Sequence, residues 1–329
     1  MTMPVIDVHT HMLNQQWLEL LRRHGKPRYA VQKSMDAPEG IFLDGAPFMT
    51  PQEGHFDYDA RIRAMDAARV DIAILSLTCP NVYWGGAEVS HEAARIVNDD
   101  MARAEKAYPG RIRWMASLPW QYPELAVAEL RRACDRGAVG VMVLANIDGR
   151  SLTDPLFAPL WQEIDRRALP VLVHPTAPPG TPEMDLRAYN LIASIGFMFD
   201  TSLAVARMIF DGFFDRFPNL KLIASHAGAA LPYLAGRLDI CFENMKACRT
   251  RTETPPRDYL RHIYYDSVTY RPEALALCID VGGADHVMYG SDYPHNIGDM
   301  KGCLARVDAL PAGQRDAVRG GNAQRIFRL

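Results

Sequence analysis

Apolar residues in this chain fall into two kinds of block that alternate from about residue 59 to the end. The first kind is a short, nearly unbroken run: Ile72–Thr78, Ile112–Leu118, Val139–Leu144, 170–174, 220–226, Ile263–Ser267 and 286–291. A strand with no polar alternation is buried on both faces, as strands of a parallel sheet are. The second kind repeats with helical period: 59–68, 90–107 with Ser90 as N-cap, 123–136 closed by Gly137, 155–168, about 200–216, about 230–247, 272–281, and the last helices over 299–327. An opening apolar run, Met3-Pro4-Val5-Ile6, supplies one more strand. Eight strands alternating with helices predict an α/β protein, a (β/α)8 TIM barrel, with residues 1–329 as a single domain.

One stretch breaks the alternation. Residues 13–57 carry Pro27, Pro38, Gly40, Gly45, Pro47, Pro51 and Gly54, and are too long for an ordinary connection, so they predict a lid or small β insertion after the first strand. Residues 176–199, rich in Pro and Gly, predict a second loop over the same face.

Composition narrows the partners. With 48% apolar residues the chain can bury a large core, and a net charge of -3 offers no basic field for nucleic acid, so a small-molecule substrate is expected. Cys79, Cys134, Cys241, Cys248, Cys278 and Cys303 show no metal-finger or paired spacing and read as reduced thiols. The first strand begins almost at Met1 without a signal-like segment, and no apolar run approaches the roughly 18 residues of a membrane span; both point to a cytoplasmic protein with no membrane partner.

The polar residues that close the apolar runs carry the chemistry. Asp7-Val8-His9-Thr10-His11 ends the first run, and residues two apart on a strand share a face, so His9 and His11 project together, with Asp7 beside them either as a donor or as a hydrogen-bond acceptor only. His174 closes the fifth strand, His226 the sixth and Asp292 the eighth. C-terminal ends of parallel barrel strands lie on one side, so these residues converge. Imidazoles and a carboxylate suit Zn²⁺ and similar divalent ions, and a catalytic site of three or four protein ligands also holds a water whose pKa falls toward about 7. Asp292 could bind the ion and exchange a proton; His226 could be a ligand or a base beside it. A bridged two-metal site would want Lys or Glu after the fourth strand, where the chain has Leu144-Ala145-Asn146, so one metal is expected.

His55 and His295 flank the presumed pocket and are candidates for substrate contact, while His24, His91, His262 and His286 are expected on the surface or on helices. Phe48, Trp84 and Tyr293 are candidates to wall an apolar pocket.

The segments Ile6-Asp7-Val8-His9-Thr10-His11, Val173-His174-Pro175, Ser225-His226-Ala227-Gly228 with Gly236-Arg237-Leu238-Asp239, and Gly290-Ser291-Asp292-Tyr293-Pro294 resemble the amidohydrolase superfamily, in its branch of aminocarboxymuconate-semialdehyde and aromatic-acid decarboxylases. The resemblance spans nearly the whole chain. It implies one divalent metal, Zn²⁺ with Mn²⁺ as the alternative, held by His9, His11, His174 and Asp292. It also implies His226 and Asp292 as catalytic residues, and Arg237 as a substrate-carboxylate contact donated across a homodimer or higher homo-oligomer. A salt bridge from Arg237 to Asp239 or a neighbouring acid is the competing reading. The implied activity is metal-dependent non-oxidative decarboxylation of an unsaturated or aromatic carboxylic acid through a metal-activated water; hydrolysis of a lactone, ester or amide, or hydration, is the alternative on the same site. Three departures leave the substrate open: Met49 falls where the branch carries a second carboxylate-binding arginine, Thr176-Ala177-Pro178 where it carries a tryptophan, and His226-Ala227-Gly228 where it has His-Gly-Gly.

Overall fold

The computed structural model describes residues 3–34 and 37–329. Eight parallel strands form the barrel in chain order: β1 (Ile6–His11), β2 (Ile72–Ser76), β3 (Ile112–Ala116), β4 (Gly140–Leu144), β5 (Pro170–His174), β6 (Lys221–Ala224), β7 (Tyr264–Asp266) and β8 (Val287–Met288). Every residue of β4 and β5 is buried, as strands covered by helices outside and by side chains inside must be. The ring closes where β8 returns to β1. Val8 N–H donates to Tyr289 O at 3.0 Å, His11 N–H donates to Tyr293 O at 2.8 Å, and Thr10 bridges Tyr293 in parallel.

The outer helices pack their apolar stripes against the strands, with Trp114, Trp120 and Trp161 among the largest fully buried side chains. The first long helix, Ala87–Ala107, begins earlier than the sequence suggests. Gly86 takes the N-cap position, and Ser90 is buried one turn inside with its hydroxyl donating to Gly85 O at 2.9 Å. A serine on the buried face carries a local hydrogen bond that mimics a cap signal in sequence. The expected helix over 200–216 is two, Phe197–Phe210 and Phe213–Arg216, separated at Gly212 with φ of 61°.

The membrane expectation needs one correction. The helical run Ala188–Phe210 is long and apolar enough to cross a bilayer by length and composition. Half of its most apolar stretch is buried, and Asp200, Thr201 and Ser202 lie among the buried positions, so its apolar side serves the barrel.

The insertion contains the helix Gln15–His24 followed by a three-stranded antiparallel sheet of Tyr29–Gln32, Gly40–Leu43 and Ala46–Met49. Its second hairpin turns through Asp44 and Gly45, at φ of 47° and 82°. Two successive positive φ values favour Asp-Gly, whose twist matches that of the flanking strands. This hairpin carries Phe48 and Met49 to the C-terminal face of the barrel, where both line the main cavity.

Candidate metal centre and active site

His11, His174 and Asp266 are the last residues of β1, β5 and β7; His226 and Asp292 lie just past β6 and β8. His9, His174, His226 and Asp292 each offer a donor atom within 4.8 Å of the others, and His11, Asp292 and His295 form a second, overlapping group. The two groups are continuous: His9 Nε2 stands 3.1 Å from His11 Nε2, and Asp292 Oδ1 is 3.3 Å and 3.2 Å from those two nitrogens. His226 Nε2 is 3.7 Å from Asp292 Oδ2.

The opposite edge of each imidazole is already engaged, and this sets what the inner edge offers. His9 Nδ1 pairs with Asp266 Oδ2 at 2.6 Å, His174 Nδ1 with the Pro175 carbonyl at 2.8 Å, and His11 Nδ1 with Ser76 Oγ at 3.1 Å. Since a carbonyl and a carboxylate only accept, the Nδ1 atoms of His174 and His9 carry the protons and, in the neutral rings, their Nε2 lone pairs face inward. Inward lone pairs packed this closely around a carboxylate need a cation between them. Tetrahedral donors about 2.0–2.1 Å from an ion stand roughly 3.3 Å apart, close to the spacing seen here. The donor set therefore fits a divalent metal.

Electrostatics agree for His11 and His174 and, with no cation between the donors, not for His9, whose ring is held protonated by its carboxylate neighbours. Burial drives the His11 imidazole down to about 3 and holds His174 well below its ordinary value, so both rings are neutral at physiological pH. Burial also opposes the charged form of His9, but Asp266, and then Asp292, outweigh it and raise its pKa to about 10. In Asp292 burial is likewise overcome, here by contacts with His11, His226 and His9 that hold its carboxyl well below the usual range.

Tight local backbone aims these groups. His226 and Ala227 both adopt φ of 54°, which turns their N–H groups onto the two oxygens of Asp266, each at 2.9 Å. Asp292, at φ of 59°, is anchored by its own N–H on His9 O at 2.8 Å. Gly290 precedes it because a Cβ there would lie 2.9 Å from the His9 Cβ. Above the cluster opens a cavity of about 940 Å³. His174, His226 and Asp292 contribute to its polar lining, while Phe48, Met49, Phe197, Met198, Val268, Leu277 and Ile297 supply apolar walls.

The amidohydrolase family matches residues 6–329. This chain belongs to the amidohydrolase family. It is 30% identical over 334 residues to a 2-amino-3-carboxymuconate-6-semialdehyde decarboxylase of Dictyostelium discoideum, covering 98% of this chain and 91% of that protein. Among solved structures it resembles the 5-carboxyvanillate decarboxylase of Sphingomonas paucimobilis, with a TM-score of 0.87, 28% identity and all of both chains covered. A second 5-carboxyvanillate decarboxylase, from Novosphingobium aromaticivorans with bound manganese and a methoxy-hydroxy-nitrobenzoic acid, gives a TM-score of 0.84 at 26% identity, covering 99% of this chain and 97% of that one.

In this amidohydrolase the residues that spacing brought forward are sorted by their contacts. Asp7 turns away from the cluster and accepts from Ser291, at 2.5 Å from the hydroxyl and 3.1 Å from the backbone N–H, and from His9 N–H at 3.2 Å. It ties β1 to the turn that carries Asp292, and burial raises its carboxyl to about 7. Arg237 lies exposed on the helix Leu231–Asn244, outside the cavity lining. The alternative pairing with Asp239 is not formed: Asp239 pairs with Arg257 at 3.6 Å, and Arg237 makes no ion pair among the described residues. His295 lines the cavity and His55 is buried behind it; the other four histidines lie away from it. Phe48 is a wall residue, whereas Tyr293 packs beneath Arg61 and Trp84 packs edge-on against Trp17.

Two organising residues were given no role by the sequence, although Arg61 opens the segment Arg61-Ile62-Arg63-Ala64-Met65-Asp66, which bears a weaker likeness to the family. Asp266 receives His9 Nδ1–H and the backbone N–H groups of His226, Ala227 and Val268. Its position at the end of a predicted strand, like His174, was the available signal. Arg61 is fully buried; it donates to Thr10 Oγ1 at 2.6 Å and to the His11 carbonyl, and stacks over Tyr293 at 4.8 Å. Burial lowers its pKa to about 10, which still leaves it charged at neutral pH.

Proposed function

We propose that this amidohydrolase is a metal-dependent, non-oxidative decarboxylase of an unsaturated or aromatic carboxylic acid. His9, His11, His174 and Asp292 would hold one divalent ion, Zn²⁺ by donor type, with Mn²⁺ as the alternative that the Novosphingobium relative carries. The observation that carries this reading is the cluster of inward imidazole nitrogens and one carboxylate at the base of a largely apolar cavity. Such an ion, when bound, polarises a carboxylate oxygen and acidifies a water beside it.

The chain's own residues do the rest. Apolar walls enclose the unsaturated body of the acid and exclude bulk water. His226, with Nδ1 near Ser225 Oγ at 3.2 Å and Nε2 toward the cluster, moves the proton. In the net reaction a proton is added at the carbon bearing the carboxylate, the C–C bond to that group breaks, its electron pair returns to the unsaturated system, and CO₂ leaves. A hydroxyl-bearing side chain or ion pair is not needed for this step; a positioned acid is.

Arg237 belongs to this reading through a homodimer. It shares one helix face with Tyr233 and Ile240, which are 82% and 59% exposed, too apolar a face to leave in water without cost. A partner covering that face would receive Arg237 at its own substrate carboxylate, a bidentate contact that Lys cannot reproduce. Six free cysteines suit a reducing, cytoplasmic setting.

The test is metal-reconstituted protein offered carboxymuconates, hydroxybenzoates and lactones while CO₂ release and simple hydrolysis are followed separately. Metal-dependent CO₂ release is expected; hydrolysis without CO₂ would replace the reading with the hydrolase alternative. His9→Ala and His11→Ala should lose metal and activity together. Mixing Arg237→Lys with His226→Asn should restore part of the activity through hybrid dimers, and a monomeric active species in sedimentation would remove Arg237 from the site.

A further inference from the structure

Asp200 is a buried carboxylate that the reaction above does not use. It is 2% exposed on the helix Phe197–Phe210. A carboxylate taken out of water must be met by donors, and among the described residues Asp200 meets two. Its Oδ2 accepts the backbone N–H of Thr176 and its Oδ1 the side-chain N–H of Asn146, each at 2.9 Å. Burial pushes its pKa up to about 6, which still leaves it ionised at neutral pH, with both oxygens accepting.

The Thr176 N–H belongs to the same peptide as the Pro175 carbonyl, and that carbonyl accepts from His174 Nδ1 at 2.8 Å. In a planar trans peptide the N–H and C=O point in opposite directions. A carboxylate that fixes the N–H therefore fixes the carbonyl on the other side, and with it the edge that the His174 ring turns inward. Two such bonds in series also polarise each other.

Asn146 supplies the independent observation. It is buried two residues past β4, where a bridged two-metal site would want Lys or Glu. Its amide is fully committed: Nδ2 donates to Asp200 Oδ1 and to the Ala177 carbonyl at 3.1 Å, and Oδ1 accepts the Gly149 N–H at 2.9 Å. Asp200 is thus braced from the neighbouring strand as well as from its own helix. That helix also presents Phe197 and Met198 to the cavity, with the Phe197 ring centroid 6.5 Å from that of His174, so the apolar wall and the imidazole share one support.

We propose that Asp200, braced by Asn146, is a positioning residue of the metal centre that holds His174 in its inward orientation through the Pro175–Thr176 peptide; this rests on the metal-site reading above. Asn in place of Asp200 has nearly the same shape but only one accepting oxygen. It would turn an N–H toward one of the two donors and free the peptide to rotate.

The experiment compares wild type with Asp200→Asn and Asn146→Ala. It reads Zn²⁺ affinity by chelator competition, the visible spectrum of the Co²⁺-substituted protein, and the urea midpoint of the metal-free protein. Asp200→Asn should weaken Zn²⁺ binding by about tenfold, the lower end of the range for groups behind a metal-bound histidine. It should also change the Co²⁺ bands, whose position and intensity follow ligand geometry. Asn146→Ala, which leaves the Thr176 contact in place, should shift both readings the same way by less. Wild-type Zn²⁺ affinity and Co²⁺ bands in folded Asp200→Asn overturn the proposal, whatever its urea midpoint, and leave Asp200 as a loop support. If Asp200→Asn does not fold, Asn146→Ala decides by the same criterion. A wild-type protein that takes up no stoichiometric divalent metal would instead remove the metal-site reading, and the proposal with it.

Discussion

Asp266 and His9 meet at 2.6 Å, Oδ2 to Nδ1, and the same carboxylate receives the backbone N–H groups of His226, Ala227 and Val268. One residue at the end of β7 therefore orients an imidazole of β1 and shapes the turn that presents His226. Burial alone would raise the Asp266 pKa, yet His9 above all and then its other partners keep it below the ordinary aspartate value, so it acts as a constant acceptor.

Asp266→Asn should weaken metal binding by about 10–100-fold, the usual effect of removing a carboxylate behind a metal-bound histidine. Equilibrium dialysis against a competing chelator measures this, and circular dichroism checks the fold. Wild-type metal affinity in the variant would confine Asp266 to shaping the turn.

His226→Asn should retain near-normal metal content and lose roughly 10²-fold or more in turnover, the scale of a general acid or base. If turnover is unchanged at full metal loading, His226 is a packing residue. Loss of metal instead would assign His226, which stands within reach of His9, His174 and Asp292, to the ligand set.

Arg61→Leu should destabilise the protein by about 2–4 kcal/mol, because charge-assisted hydrogen bonds each contribute about 1.5–3 kcal/mol and the buried His11 carbonyl loses a donor. The urea midpoint should fall at constant m-value. A midpoint equal to wild type would mean that water replaces the guanidinium at no cost.

Glu163 offers a pH-linked test away from the metal. Arg166 holds its carboxyl below the usual range, helped by Arg167 and Arg131, against the opposing effect of burial. Because the folded-state pKa is depressed, its contribution is present above the unfolded value near 4.5 and is lost as pH falls through the folded value. Glu163→Gln should therefore unfold at lower urea than wild type at pH 7, and the difference should shrink below about pH 4. A difference that is constant across this range would refute the ion-pair account.

Local rules were enough for much of this protein. Unbroken apolar runs predicted strands buried on both faces, the Asp44-Gly45 pair suits the hairpin that it makes, and His9, His11, His174, His226 and Asp292 were legible as strand-end residues because strand direction alone sends them to one face. The sequence could not separate Asp7 from Asp266. Both are carboxylates beside β-strand runs, and only closure of β8 onto β1 brings Ser291 to Asp7, while only the barrel's curvature carries Asp266 to His9. Nor could it orient Arg61, whose partners lie at the far end of another strand, or bring Asp200 to the peptide that holds His174. Periodicity and spacing reflect the geometry of one element at a time; hydrogen-bond partners and desolvation depend on which elements meet, and that is decided by the barrel as a whole.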